Sequence, residues 1–280
     1  MKKSVWLFAL SGALCLVFIF FLKSCYFDKK EVLTSNLNSY DSTDLNECQE
    51  VKDIKEKGYV SVGIKVDMPK FSYLNPETNC EEGFEPDLAR VVAAKMLGNE
   101  NAIKFRPVTP KTRGPLLDNG ELDFVIGTFT ITEKRKQSYN FTVPYYVDYI
   151  SFLINKNSNF KSVKDFAGKI IGVSQSTPTK SCLQNKAKEL NIDLTFAEYT
   201  SYHELKTALE IGRIDVFSAD KSILFGYKDE SNVILDDFIC KQEYGMACKM
   251  ENKDFCEYLS KIINEIKTDG TLSELLNKWG

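Results

Sequence analysis

Residues 117–128 read Leu-Asp-Asn-Gly-Glu-Leu-Asp-Phe-Val-Ile-Gly-Thr, and residues 209–220 read Leu-Glu-Ile-Gly-Arg-Ile-Asp-Val-Phe-Ser-Ala-Asp. Both follow Leu-x-x-Gly-x-x-Asp, then a short apolar run that ends on a polar residue. Each copy is expected to be a helix end, a Gly cap and a buried parallel strand. The final polar residue then stands at the strand's carboxyl end, where open α/β sheets bind ligands. Two such lobes facing each other make a two-walled cleft. One wall offers the hydroxyls of Thr128 and Thr130 with the guanidinium of Arg135, and the other offers the carboxylate of Asp220.

The elements that must hold these groups can be read along the chain. Strands are expected at 59–65, ending on Lys65, and at 103–107, 122–127, 168–175, 194–198 and 214–219. Gln175 lies seven residues after Gly168, as Lys65 lies seven after Gly58. Helices are expected at 47–57, 86–97, 114–119, 179–190, 203–211 and 252–278, with another beginning near Thr132. Residues 71–82 read as a hairpin turning at Asn75-Pro76. In the helix from Pro86, Leu88, Val91, Val92 and Met96 form an apolar face, and Pro is tolerated in a first turn. Residues 244–249 read as a strand returning to the first lobe. The expected fold class is therefore α/β with two lobes, each a mixed sheet flanked by helices, joined by two hinge crossings. Lobe 1 takes 46–147 plus 245–280 and lobe 2 takes 148–244. Two crossings permit closure over a ligand.

The chain has 280 residues and a net charge of −3. That suits two ordinary lobes and argues against nucleic acid as a partner. Lys2 and Lys3 precede an apolar run from Val5 to Leu22, the order of an export signal. Leu22-Lys23-Ser24-Cys25 resembles a lipobox, although Lys23 departs from its pattern. A lipidated Cys25, an uncleaved anchor and an ordinary cleaved signal all place the rest outside the cytoplasmic membrane, in the periplasm or at the cell surface. Residues 1–25 are thus a signal or anchor, and the polar 26–45 a tether. Six further cysteines (Cys48, Cys80, Cys182, Cys240, Cys248 and Cys256) are read as structural disulfides or buried thiols, with fifteen possible pairings. Their spacing resembles no zinc motif, the only histidine is His203, and neither metal nor cofactor is expected.

Gly83–Ala93 (GFEPDLARVVA) resembles the signature of bacterial solute-binding proteins for polar amino acids. Gly127–Tyr146 (GTFTITEKRKQSYNFTVPYY) resembles the same family's middle segment, and the ending Lys278-Trp279-Gly280 agrees. TRGPLLDNG (112–120) and SADKSILFGY (218–227) look most like the aspartate/glutamate-binding proteins of ABC importers, some of them also described as surface antigens or adhesins. The resemblance covers essentially all of 47–280 and implies a type II periplasmic-binding-protein fold. It implies that Arg135 clamps a ligand α-carboxylate, that Thr130 and Thr128 add contacts, and that Asp220 takes the α-ammonium. By the same resemblance Lys65 and Arg113 meet a side-chain carboxylate, Tyr202 supplies a hydroxyl, and Thr177 opens a helix whose N-terminus meets a carboxylate. Pro178 departs from the family there, having no N–H to offer.

Arg135 and Asp220 balance a zwitterion, which leaves Lys65 and Arg113 as surplus cations. Two such charges facing a neutral side chain are unfavourable, so aspartate or glutamate is the expected ligand. The chain is then expected to be a monomeric binding protein that hands an acidic amino acid to an ABC permease. The alternatives are a cyclohexadienyl dehydratase-like enzyme on the same fold, which needs an acid or base in the cleft, and a surface adhesin or sensor.

Overall fold

The computed structural model describes residues 47–279. The signal or anchor over 1–25, the Cys25 attachment point and the tether over 26–45 lie outside the described residues. No helix among the described residues is long and apolar enough to cross a membrane.

The chain enters through α1 (Gln49–Lys57) and β1 (Val60–Ile64). A small sheet follows, made of β2 (Asp67–Met68), β3 (Ser72–Asn75) and β4 (Cys80–Glu82). Next come α2 (Phe84–Leu97), β5 (Ile103–Pro107), α3 (Arg113–Asp118), β6 (Phe124–Val125), α4 (Glu133–Lys136) and β7 (Tyr139–Phe141). The second lobe holds β8 (Tyr146–Asn155), β9 (Ile170–Ser174), α5 (Thr179–Leu190), β10 (Thr195–Tyr199) and α6 (Tyr202–Glu210). It continues through β11 (Val216–Asp220), α7 (Lys221–Tyr227), β12 (Asn232–Ile234) and β13 (Ile239–Tyr244). The chain then returns to the first lobe through β14 (Ala247–Lys249), α8 (Lys253–Thr268) and α9 (Thr271–Trp279).

The first sheet runs β5-β1-β6-β14-β7, parallel through β5, β1 and β6, with β14 antiparallel. The second runs β10-β9-β11-β8-β12, with β13 also on β8. Its strands β10, β9 and β11 are parallel and β8 is antiparallel. Both are mixed sheets. Apolar runs on parallel strands are what two covered faces require. Val60, Val62 and Ile64 of β1 are buried, as are Ile171 and Val173 of β9.

The repeat performs the same construction in each lobe. Gly120 and Gly212 turn the chain with φ of 80° and 71°, as helix-ending glycines do. The carboxylate of Asp123 then accepts from the N–H of Ser61 at 2.6 Å, and that of Asp215 accepts from Ile170 at 2.8 Å. Just before each Asp, Leu122 and Ile214 pack where a Cβ on Gly63 or Gly172 would stand. The repeat's Asp and apolar residue thus lock the parallel neighbour's register. Val62 opposes Phe124 as Ile171 opposes Val216. That register makes Ser174 the counterpart of Lys65, one residue before the Gln175 reached by counting from the glycines.

Three segments differ from the expected elements. The strand expected over 122–127 pairs only at Phe124–Val125, because Gly127 and Thr128 turn away toward the cleft. The helix expected over 252–278 breaks at Asp269-Gly270, where Gly270 has φ 90°. Of the return strand expected over 244–249, Tyr244 closes β13 on the second sheet and only Ala247–Lys249 form a strand, β14, on the first. Cys182 and Cys240 form a disulfide that ties α5 to β13. Cys48, Cys248 and Cys256 are free thiols.

Candidate functional site

The groups expected on the two walls converge at the carboxyl ends of β1, β6 and β11. Lys65, Arg113, Thr128, Thr130, Tyr202 and Asp220 are all buried, and Arg135 is half-buried. In the charged stretch 133–136 Arg135 alone turns inward; Glu133, Lys134 and Lys136 are exposed. Thr132 sets this by capping α4, its hydroxyl accepting from the Arg135 N–H at 3.2 Å. Arg135 Nη1 donates to Thr130 O at 2.7 Å, and Nη2 donates to Ser176 O in the other lobe at 3.0 Å. The guanidinium therefore already spans the cleft, offering its fork to backbone oxygens from both lobes.

Opposite it, Asp220 ends β11 and accepts a hydrogen bond from the Tyr244 hydroxyl. That hydroxyl also lies 3.4 Å from Asp148, whose carboxylate accepts from the N–H groups of Tyr149 and Ser222. Burial and then the Asp148 charge push Asp220 up to about 7, against the pull of Tyr244, Arg135 and Arg113. Burial and then Arg113 lower Arg135 to about 9, and burial lowers Arg113 to about 10.

Arg113 opens α3 and reaches back to the end of β6. Its Nη1 donates to Gly127 O at 2.7 Å and Thr128 O at 3.2 Å, and its plane lies over the Phe129 ring at 3.7 Å. Thr128 has φ 44°, an uncommon left-handed conformation for a threonine. Its N–H donates to the Glu85 carboxylate at 2.6 Å. Burial raises Glu85 to about 7, opposed by hydrogen bonds from Tyr145 and Thr128 and by the charges of Lys65 and Arg113.

Lys65 is not without a partner inside the chain: its Nζ pairs with Asp67 Oδ1 at 3.0 Å. Burial lowers its pKa and Asp67 works against that shift. Tyr202 meets Lys65 through its ring face, 3.9 Å from Nζ. The Thr177 hydroxyl is also engaged, donating to Ser174 O at 2.8 Å. It braces the loop before α5, where Pro178 takes the N-cap position.

Glu85, Asp67, Asp148 and Tyr244 belong to this charged cluster, and residue-level reasoning passed over all four. Glu85 lay within the signature segment, yet an acid in a helix's first turn is ordinary. Nothing in the sequence spacing pairs Asp67 with Lys65 or brings Tyr244 to Asp220. The lobes also touch beyond the charged groups. The Tyr227 hydroxyl donates to Asp67 O, and Tyr244 bridges Thr130 beside the second crossing.

Residues 60–280 match the family of bacterial extracellular solute-binding proteins, family 3, and the chain belongs to that family. It is 34% identical over 264 residues to a glutamine-binding protein of Geobacillus stearothermophilus, covering 92% of this chain and 98% of that one. An ancestral arginine-binding protein solved with glutamine bound is 27% identical with a TM-score of 0.71, covering 79% of this chain and 97% of its own. The ancestral amino-acid-binding protein AncCDT-1, described as a precursor of cyclohexadienyl dehydratase, is 25% identical with a TM-score of 0.72, covering 82% and 98%.

Proposed function

We propose, from that membership, that the protein is the extracytoplasmic binding component of an ABC amino-acid importer and that its ligand is a neutral polar α-amino acid, glutamine first. Arg135 receives the α-carboxylate, exchanging its bond to Ser176 O for a charge-assisted one. Thr130 and Thr128 line the same wall, and Asp220 takes the α-ammonium. A ligand held by Arg135 from one lobe and Asp220 from the other favours the closed arrangement, which is what a permease would receive.

The observation that carries the choice of side chain is the Lys65–Asp67 ion pair. With it, the cations Lys65, Arg113 and Arg135 face the carboxylates Asp67, Glu85 and Asp220, with Asp148 behind Asp220. A site balanced in this way suits a ligand with no net charge, because an additional buried charge lacks a partner. The glutamine-binding relative supports the same choice. An acidic amino acid is the second reading. It is favoured by the convergence of Lys65 and Arg113 on one end of the cleft, and Arg113 Nε has no hydrogen-bond partner among the described residues.

Calorimetric titration of the purified, ligand-stripped protein with glutamine, glutamate, aspartate and arginine tests this. Glutamine binding tightest, one to one, supports the proposal. Glutamate or aspartate binding tightest selects the second reading, and no binding of any of the four overturns both.

A further inference from the structure

Gly83 lets the first turn of α2 press against the chain entering β3. At φ 128°, a Cβ there would lie 2.6 Å from the Phe71 carbonyl carbon and oxygen. The N–H groups of Phe84 and Glu85 donate to Lys70 O and Phe71 O at 3.1 and 2.9 Å. This docking buries the Glu85 side chain completely. Its Oε1 accepts from Thr128 N–H and from the Tyr145 hydroxyl, both at 2.6 Å. Its Oε2 is buried without a hydrogen-bond partner among the described residues.

Glu85 and Arg113 hold the same two residues. The anion takes the N–H of Thr128, and the cation takes the carbonyls of Gly127 and Thr128. If bracing that turn were the whole requirement, a glutamine at 85 would offer the same acceptor without burying a charge. A carboxylate with one orphaned oxygen is the costlier choice. What it alone supplies is negative charge on the turn that Arg113 also holds.

We propose that Glu85 is a specificity-determining residue: its carboxylate offsets Arg113 and thereby sets how strongly the site prefers neutral over anionic side chains. It acts through Arg113 and the Thr128 turn. The inference rests on the amino-acid-binding reading above and adds the residue that tunes it.

The test is the ratio of glutamate to glutamine affinity, measured by calorimetry at about pH 8, where Glu85 is ionised, in the whole protein and in Glu85→Gln. Removing one buried charge near the side-chain end of the site is expected to move the ratio about tenfold toward glutamate. A merely structural role would weaken both ligands alike and leave the ratio in place. Tyr145→Phe is the milder companion. It takes away a hydrogen bond that favours the ionised carboxylate, so near neutral pH it moves the ratio the same way by about two- to threefold. A ratio unchanged in either variant that folds, judged by its melting curve, overturns the inference. Failure of the wild-type protein to bind any amino acid would instead sink the functional reading beneath it.

Discussion

Glutamine affinity should fall as the solution is acidified through neutrality, because Asp220 must be ionised to receive an α-ammonium. Its carboxyl stands at about 7, raised by burial and by Asp148. The ionised fraction falls from about nine-tenths at about pH 8 to about one-tenth at about pH 6, so the apparent affinity should drop about tenfold. Arg135 at about 9 and Arg113 at about 10 stay charged across that range and do not contribute. Glu85 titrates in the same range. Its protonation adds net positive charge, which favours an anionic side chain, so the glutamate curve should be shallower than the glutamine curve.

Stability has the opposite sign. The folded pKa of Asp220 lies above its unfolded value, so its contribution is full below about 3.8 and is lost as pH rises through about 7. The ceiling is about 4 kcal/mol. Asp220→Asn should therefore abolish glutamine binding while raising the melting temperature of the unliganded protein at about pH 8. Titration at several pH values together with melting curves checks both. A glutamine affinity that does not change between about pH 6 and pH 8 would refute the assignment of Asp220 to the ammonium.

Two further outcomes follow from the packing. Gly226→Ala places a methyl 2.9 Å from Pro69 O in the facing lobe, while Ala favours the helix α7 by about 1 kcal/mol; glutamine affinity should fall severalfold with no loss of melting temperature, and unchanged affinity would show that closure does not need this contact. Cys182→Ser with Cys240→Ser opens a loop spanning 58 residues within the second lobe; denaturant unfolding should show a loss of up to about 4 kcal/mol.

Where local pattern and tertiary structure agree, the reason is visible in particular residues. The helix at 179–190 and the strand at 103–107 have the bounds expected from pattern, because their apolar period and flanking turns are local. The hinge strands were less legible. β8 runs ten residues and receives β11, β12 and β13 as partners, yet no local signal says which strands will pair with it. The break at Gly270 divides a continuous helical pattern, and a lone Gly within such a pattern is ambiguous.

The family resemblance and the two-lobed α/β class were determined by sequence alone, through the repeat and the segments 83–93 and 127–146. So was the candidacy of Asp220, which strand register carries to the carboxyl end of its sheet, whereas that of Arg135 came from the family resemblance, since it sits on the short helix α4. The charge balance of the site was decided only by tertiary structure. Lys65 reads as an unpaired cation until β1 and β2 are folded and Asp67 is found 3.0 Å away. Glu85 reads as a helix-start acid until α2 docks and buries it against Thr128. Sequence spacing orders backbone elements, but the energy of a buried charge depends on what lies within a few ångströms in any direction, and those neighbours come from segments far apart in the chain.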